Sequence, residues 1–600
     1  MFESENYDFP QKPVSCYFYF KYVLMETKKL LQPFLTLALL VALSPIMAQT
    51  VQYLNAKPMS QLVNNSLKPV NADNTLKVPM ITWGGDEATI LGGMDGIFKA
   101  NGLNVTLFRE DDFKKQVQMC LNGETPYLRG TMGMINAAAD AFKGSGTELV
   151  VIYQLTWSTG GDAMVVREGK NLKNIKKIGL QLYGPHMDYA ANLFSKAGRL
   201  SNVEFKWLSQ LTISEKEGGK AIDPVTAFQD DATLDATLCI TPDALLLTSS
   251  GTVGTGAEGS VKGASILLST KTASRIICDV YAVRKDYFDA NKNSVMSFVK
   301  SLMQSEEALR NLTANKTTQQ AKYHQLLSEA AEKLMGSSQF TSDAEALLGD
   351  CEFVGFAGNK SFFTGTGTTR SFENLNSEIQ LAFKSIGILT TSIPIKQAVW
   401  DYNLLASGLK NATVTAETKP KFSQTKVAKA VENKINAEST DWEEKGTLFV
   451  VEINFDANQS DFSIEQYAND FALALDIAET NSGALVIIEG HADPLGVLKA
   501  EKALANNEPD AKSKAEIGQM KQQVKTLSLE RAQNVRKSFL QYCKNKKINI
   551  DESQFVAVGL GAMNPKYNPP RTKEEWAANR RVVFRIKQVE AELDEFSPLD

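Results

Sequence analysis

From Val78 onward, short unbroken apolar runs alternate with stretches whose apolar positions recur every three or four residues. The runs predict buried strands, and the longer period predicts helices with one face inward. Residues 78–82, 103–108, 148–153, 163–167 and 177–182 read as strands. Between the first two, residues 88–100 place Ile90, Leu91, Met94, Ile97 and Phe98 on one helical face, and 111–121 give a second helix. Strands at 203–208, 236–240, 265–269 and 276–283 follow, with helices at 188–197, 224–229 and 293–309. This rhythm predicts a parallel, doubly wound sheet with enough strands for two lobes. Residues 310–410 read as mainly helical, with Gly- and Thr-rich interruptions at 356–359 and 365–369. Periodicity fades over 411–445, which predicts a linker with one helix at 425–437. As a flexible coil it would span roughly 30–35 Å. A smaller α/β unit begins at Gly446, with strands at 448–455, 485–490, 555–559 and 582–586 and helices at 464–478 and 528–542. Residues 589–600 form an acidic tail.

Composition narrows the classes. Six hundred residues exceed one core. A hydrophobic share of 43% and a charged share of 22% are ordinary for a globular chain. The net charge of −5 gives no case for nucleic-acid binding. The histidines are His186, His324 and His491, and no CxxC or HExxH spacing occurs, so neither a metal nor a cofactor is expected. Lys28 and Lys29 precede an apolar run that ends at Ala48, which predicts a secretory signal cleaved after Ala48, with an uncleaved anchor as the alternative. Residues 1–24 are acidic and aromatic, so Met25 is the expected start. Residues 49–75 read as a flexible lead-in. No later run is long and apolar enough to span a membrane. Cys120, Cys239, Cys278, Cys351 and Cys543 are expected as buried apolar side chains.

One pair of charges stands out in the C-terminal unit. Asp493 follows a strand, and Arg531 lies near the start of an amphipathic helix. A carboxylate and a guanidinium together match a ligand carrying both an ammonium and a carboxylate, since Arg can grip a carboxylate through two parallel bonds. Around them stand Phe455 and Asn458, the GHxDxxG of residues 490–496, the LSxxRAxxV of 527–535, Gly559 and Gly561 with Pro565, and the Asn579, Arg580, Arg581, Val582 run. In this order they resemble the OmpA-like peptidoglycan-associating domain, over about residues 446–588. The resemblance implies that Asp493 and Arg531 hold the diaminopimelate of a peptidoglycan stem peptide, with Asn579 and Arg580 lining the same pocket. His491 reads as a packing residue at the strand end. The segment 497–526 is longer than the family's usual spacer, rich in Lys and Ala, and predicted as an inserted solvated helix.

In the larger N-terminal part, polar loops follow strands where an open α/β sheet puts its ligand contacts. Trp83 and Asp86, Ser158 and Thr159, and Tyr183 ahead of a helix are such positions, and Thr131 joins them as a candidate. The order resembles the type II periplasmic solute-binding proteins of ABC importers, in particular the nitrate, sulfonate and taurine group, over about residues 76–310. The resemblance implies capture of a small solute between two lobes by hinge closure, with an ABC permease as partner. Helix N-termini favour an anion, whereas Asp86, Asp162 and Asp188 favour a cation or polyol, and both stay open.

The fold class expected is therefore α/β: a two-lobed periplasmic-binding-protein-like domain (76–410), a linker (411–445) and a smaller OmpA-like α/β domain (446–588). The function expected is a non-enzymatic solute-binding protein of the periplasm, associated with the cell wall at the outer membrane of a Gram-negative bacterium. Two alternatives stand beside it. One is a structural envelope linker with no small-molecule ligand. The other is an enzyme similar to the thiamine-pyrimidine synthases, whose clustered cysteines and adjacent histidines this chain lacks.

Overall fold

The computed structural model describes residues 50–71, 75–393, 395–412, 421–437, 446–454, 462–505 and 511–588. The expected signal segment 1–48 with Met25, residues 413–420 and 438–445 of the expected linker, Phe455, Asn458 and the acidic tail lie outside the described residues.

The strands are β1 (Leu76–Met80), β2 (Val105–Arg109), β3 (Tyr127–Thr131), β4 (Leu149–Ser158), β5 (Asp162–Val166), β6 (Lys177–Gln181), β7 (Glu204–Leu208), β8 (Ala236–Ile240), β9 (Ser265–Ser269), β10 (Cys278–Arg284), β11 (Cys351–Phe353), β12 (Lys396–Gln397), β13 (Thr447–Asn454), β14 (Leu485–His491), β15 (Phe555–Gly561) and β16 (Arg581–Lys587). One five-stranded sheet runs β11-β4-β10-β3 with β12 beside β4, and a second runs β7-β6-β8-β5-β9. The pair β1-β2 stands apart as a two-stranded sheet. The chain leaves the first five-stranded sheet at residues 159–161 and returns to it across 270–277.

The expected all-parallel sheet is not what forms. β6 runs parallel to β7 and β8, but β5 is antiparallel to β8 and β9, and β10 is antiparallel to β3 and β4. Every residue of β4 is buried. A strand buried on both faces reads as a continuous apolar run whichever way its neighbours point, so the run predicts the strand and not its sense. The lead-in expected to be flexible also packs. Val51 and Met59 are buried, Gln52 N–H donates to Ala221 at 2.9 Å, and Leu54 N–H donates to Trp207 at 2.8 Å.

The C-terminal unit is a four-stranded sheet in the order β13-β16-β14-β15, with only β14 and β15 parallel. On one face Phe539 packs against Phe471, Phe555 and Phe584, with ring centroids 5.0–5.7 Å apart. The helix expected within the linker forms as Gln424–Ala437, and it covers the other face. Its Val427 and Val431, with Phe422, bury against Leu485, Ile487, Val556, Val558 and Leu560. The inserted segment contributes to two helices rather than one. The first is Leu495–Ala505, and the second is Ala511–Asn545, a 35-residue helix that also contains the LSxxRA motif. At 1.5 Å per residue it is about 52 Å long.

The C-terminal unit is joined to the larger body by main-chain bonds. Arg275 N–H donates to Thr480 O at 3.2 Å, and Gly483 N–H donates to Thr272 O at 3.1 Å. Ser274 and Ser482 hydroxyls lie 2.7 Å apart. A Cβ at Gly483 would sit 1.7 Å from Lys271 O, so this approach requires glycine.

Candidate functional site

β3 carries Arg129 into the interior, where it has no exposure. A buried guanidinium is tolerated only when paired. Arg129 Nε donates to both carboxylate oxygens of Asp86, at 3.1 and 3.0 Å, and Nη1 donates to Asp279 on β10 at 2.8 Å. Thr156 of β4 donates to the other oxygen of Asp279 at 3.1 Å, and Trp83 Nε1 donates to Thr156 at 3.2 Å. The Trp83 ring lies against Gly161, where a Cβ would come within 2.5 Å of it.

A second polar group forms where Ser158, at the end of β4, meets Asp162, at the start of β5 in the other sheet. Ser158 Oγ lies 2.6 Å from Asp162 Oδ2 and 3.0 Å from Thr270 Oγ1. His186 Nε2 lies 2.8 Å from Asp162 Oδ1. Because Ser158 meets the carboxylate and not the imidazole, the trio is not a nucleophile with its base. Asp188, from the helix His186–Lys196, reaches across to accept from Gly133 N–H at 3.2 Å, in the first turn of the helix Met132–Gly144. Thr131 caps that same helix, accepting from Met134 N–H at 3.2 Å. Thr159 N–H donates to Asp350 O at 2.9 Å.

These carboxyls are short of positive charge. Burial pushes Asp188 up to about 8, against the pull of its backbone bonds and with Asp279 adding to the rise. Burial pushes Asp86 up to about 6 although Arg129 opposes it. Asp279 is raised by burial against the same arginine, and Asp350 is raised to about 6 by burial and by Asp162. Asp188 Oδ1 and His186 Nδ1 are buried without a hydrogen-bond partner.

Trp83, Asp86, Thr131, Ser158 and Thr159 thus belong to one inter-sheet region. Tyr183 does not join them: its hydroxyl donates to Lys57 O in the N-terminal arm. Sequence reasoning missed Arg129, Asp279, His186 and Thr270. The signal for two of them was available, since a charge inside an apolar strand requires an opposite charge in another element.

In the C-terminal unit the motifs meet at one turn of helix. A Cβ at Gly490 would lie 1.9 Å from Ser528 O, one at Gly559 would lie 2.6 Å from Lys525 O, and one at Gly561 would lie 3.2 Å from Lys525 Cα. Gly561 N–H donates to Ser528 Oγ at 2.8 Å, and Ala492 N–H donates to Gly561 O at 2.7 Å. Asp493 follows Ala492, and its Oδ1 accepts from Leu495 N–H at 3.0 Å at the start of the helix Leu495–Ala505. Arg531, one turn beyond Ser528, is buried, and its pKa is lowered by that burial and by the neighbouring Arg580. Arg580 Nε is buried without a hydrogen-bond partner. Asn579 is engaged with the backbone: its amide accepts from Tyr567 N–H and donates to Tyr567 O, both at 2.9 Å. His491 is buried with Nε2 3.5 Å from Glu489 Oε2. Arg585 grips the same carboxylate at 2.7 and 2.9 Å.

A pocket of about 210 Å³ lies elsewhere, lined by Val70, Asn71, Lys77, Asn104 and Glu124 among others, and holds none of the candidate residues. Among the described residues, no group of three or more His, Cys, Asp and Glu could hold a metal ion. None of their helices is long and apolar enough to cross a membrane. Cys120, Cys239, Cys278 and Cys543 are buried free thiols, and Cys351 is partly exposed.

No family model and no curated protein matches the chain. Solved structures similar to it include the alkanesulfonate-binding protein of Xanthomonas axonopodis pv. citri bound to MOPS, at 12% identity over 55% of this chain and 100% of that one, TM-score 0.36. The periplasmic aliphatic sulphonate binding protein of Escherichia coli is 12% identical over 55% of this chain and 95% of that one, TM-score 0.34. The periplasmic nitrate-binding protein of Synechocystis PCC 6803 is 11% identical over 57% and 90%, TM-score 0.35.

Proposed function

We propose that the chain is an exported solute-binding protein that captures a small molecule between its two five-stranded sheets while its C-terminal unit binds peptidoglycan. The observation that carries the first half is the inter-sheet convergence of Trp83, Asp86 and Arg129 with Asp162, His186 and Asp188. Ligands of two-lobed α/β proteins enter such gaps and close them by hinge motion. The solute would pass to an ABC permease in the periplasm.

For the second half, the paired guanidiniums Arg531 and Arg580 form a place for a carboxylate. Asp493, after the strand that abuts Ser528, would take the ammonium of the same diaminopimelate. Asp493→Ala and Arg531→Ala are each expected to abolish pull-down on isolated peptidoglycan while circular dichroism stays unchanged. Undiminished binding by both variants refutes the site. A structural envelope linker is the second reading, favoured by the pairing of Arg129 with Asp86 and Asp279 within the protein. A thermal-shift screen separates the two, because a solute that binds only the folded state must raise the melting point.

A further inference from the structure

The charge of the solute can be argued from what already occupies the helix ends at the inter-sheet site. An anion would be received by free N–H groups at helix N-termini. Here those ends are supplied with the protein's own carboxyls. Glu87 stands in the first turn of Glu87–Met94, Asp188 in that of His186–Lys196 and Asp243 in that of Thr241–Leu247. At Met132–Gly144 the first-turn amide of Gly133 is taken by Asp188 from the facing sheet, and Met134 N–H is taken by Thr131. Acidic side chains in those first turns oppose a sulfonate or nitrate there, although none of the three helices has a side-chain cap bond.

Positive charge is sparse in the region, where Arg129 is joined by Lys271 acting on Asp350. Asp86 and Asp279 share the single guanidinium of Arg129, and Asp162 meets the Ser158 hydroxyl and the imidazole of His186. Among the described residues Asp188 has no cationic partner; it is 2% exposed, and Oδ1 is left without a hydrogen bond. The Trp83 ring, braced by Thr156 and seated over Gly161, supplies an aromatic face of the kind that attracts organic cations. The ligating geometry for a metal ion is absent among the described residues.

We propose that the inter-sheet site takes an organic cation, an ammonium or amidinium group held by Asp188 and flanked by Trp83. This rests on the reading of that site as solute-binding. The test uses the full chain, with thermal shift and calorimetry against choline, butylamine and butylguanidinium, against methanesulfonate, nitrate and acetate, and against glucose. At least one cation is expected to raise the melting point, with Asp188→Asn weakening its binding tenfold or more. Trp83→Leu, at a partly exposed position, is expected to weaken it several-fold, and serves if the Asp188 variant does not fold. Binding of an anion or of glucose, with no cation bound, overturns the cation assignment and leaves the solute-binding reading standing. Absence of any shift with all of the probes overturns both.

Discussion

Asp188 and Glu489 are both carboxyls sealed from water, one between the two large sheets and one in the C-terminal sheet, and they titrate at opposite extremes. Burial pushes both upward. For Glu489 the rise is overcome by His491 and by the two-pronged Arg585, which hold the carboxyl at about 2. For Asp188 the opposing contacts are backbone amides, and Asp279 adds a like charge, so it sits at about 8. Depth is equal in the two cases, and the counter-charge decides the outcome. The C-terminal pair is electrically complete, whereas the inter-sheet carboxyl is not.

The comparison can be broken most forcefully at Arg585. Arg585→Met leaves a buried carboxylate without its main partner, which costs about 3–5 kcal/mol and is read as a fall in the denaturant midpoint. The native protein draws stability from Glu489 that is full above about pH 4.5 and lost as pH falls toward about 2. The variant loses that acid-side slope.

A smaller effect is expected at Asp188. Its folded pKa lies above the usual 3.8, so the native state keeps a proton that the unfolded chain has lost, and stability falls as pH rises toward about 8. Asp188→Asn removes that penalty. Without solute, the variant is expected to gain on the order of 2 kcal/mol over wild type at pH 8 and little near pH 4, measured as melting points across pH. A wild type and variant with parallel pH profiles would remove the distinction between the two carboxyls.

The smallest effect sharpens the intermediate case. Burial raises Asp86 to about 6, opposed by Arg129 and reinforced by Asp279, which shares that guanidinium. Asp279→Asn gives Asp86 the whole guanidinium, and its titration midpoint, followed by carboxyl NMR, is expected to move down.

The strands and most helices were legible because apolar runs and helical spacing depend on burial alone. Their sense was not: the run 163–167 looks the same whether β8 lies parallel or antiparallel to it. The linker helix could be seen from its own sequence. Its covering of the C-terminal sheet could not, because Val427 and Val431 reveal an apolar face without naming what it packs against. At the inter-sheet site the loop residues Trp83, Asp86, Ser158 and Thr159 were recognisable from their place after strands. Arg129 and Asp279 were hidden inside apolar runs, and their pairing spans 150 residues of sequence. Tyr183 had the right local setting, yet its ring turns toward the N-terminal arm.

The loop 269–275 has a mechanical consequence. At one end Thr270 accepts from Asp162 N–H at 3.2 Å beside the inter-sheet polar group. At the other, Thr272 and Arg275 are spliced to the main chain at Gly483 and Thr480. So short a segment carries little slack, since each residue extends at most about 3.6 Å. Displacing one large sheet against the other pulls on the C-terminal unit before any coil can absorb the movement. That unit rides on the crossing as a load, and clamping it in place stiffens the joint between the sheets.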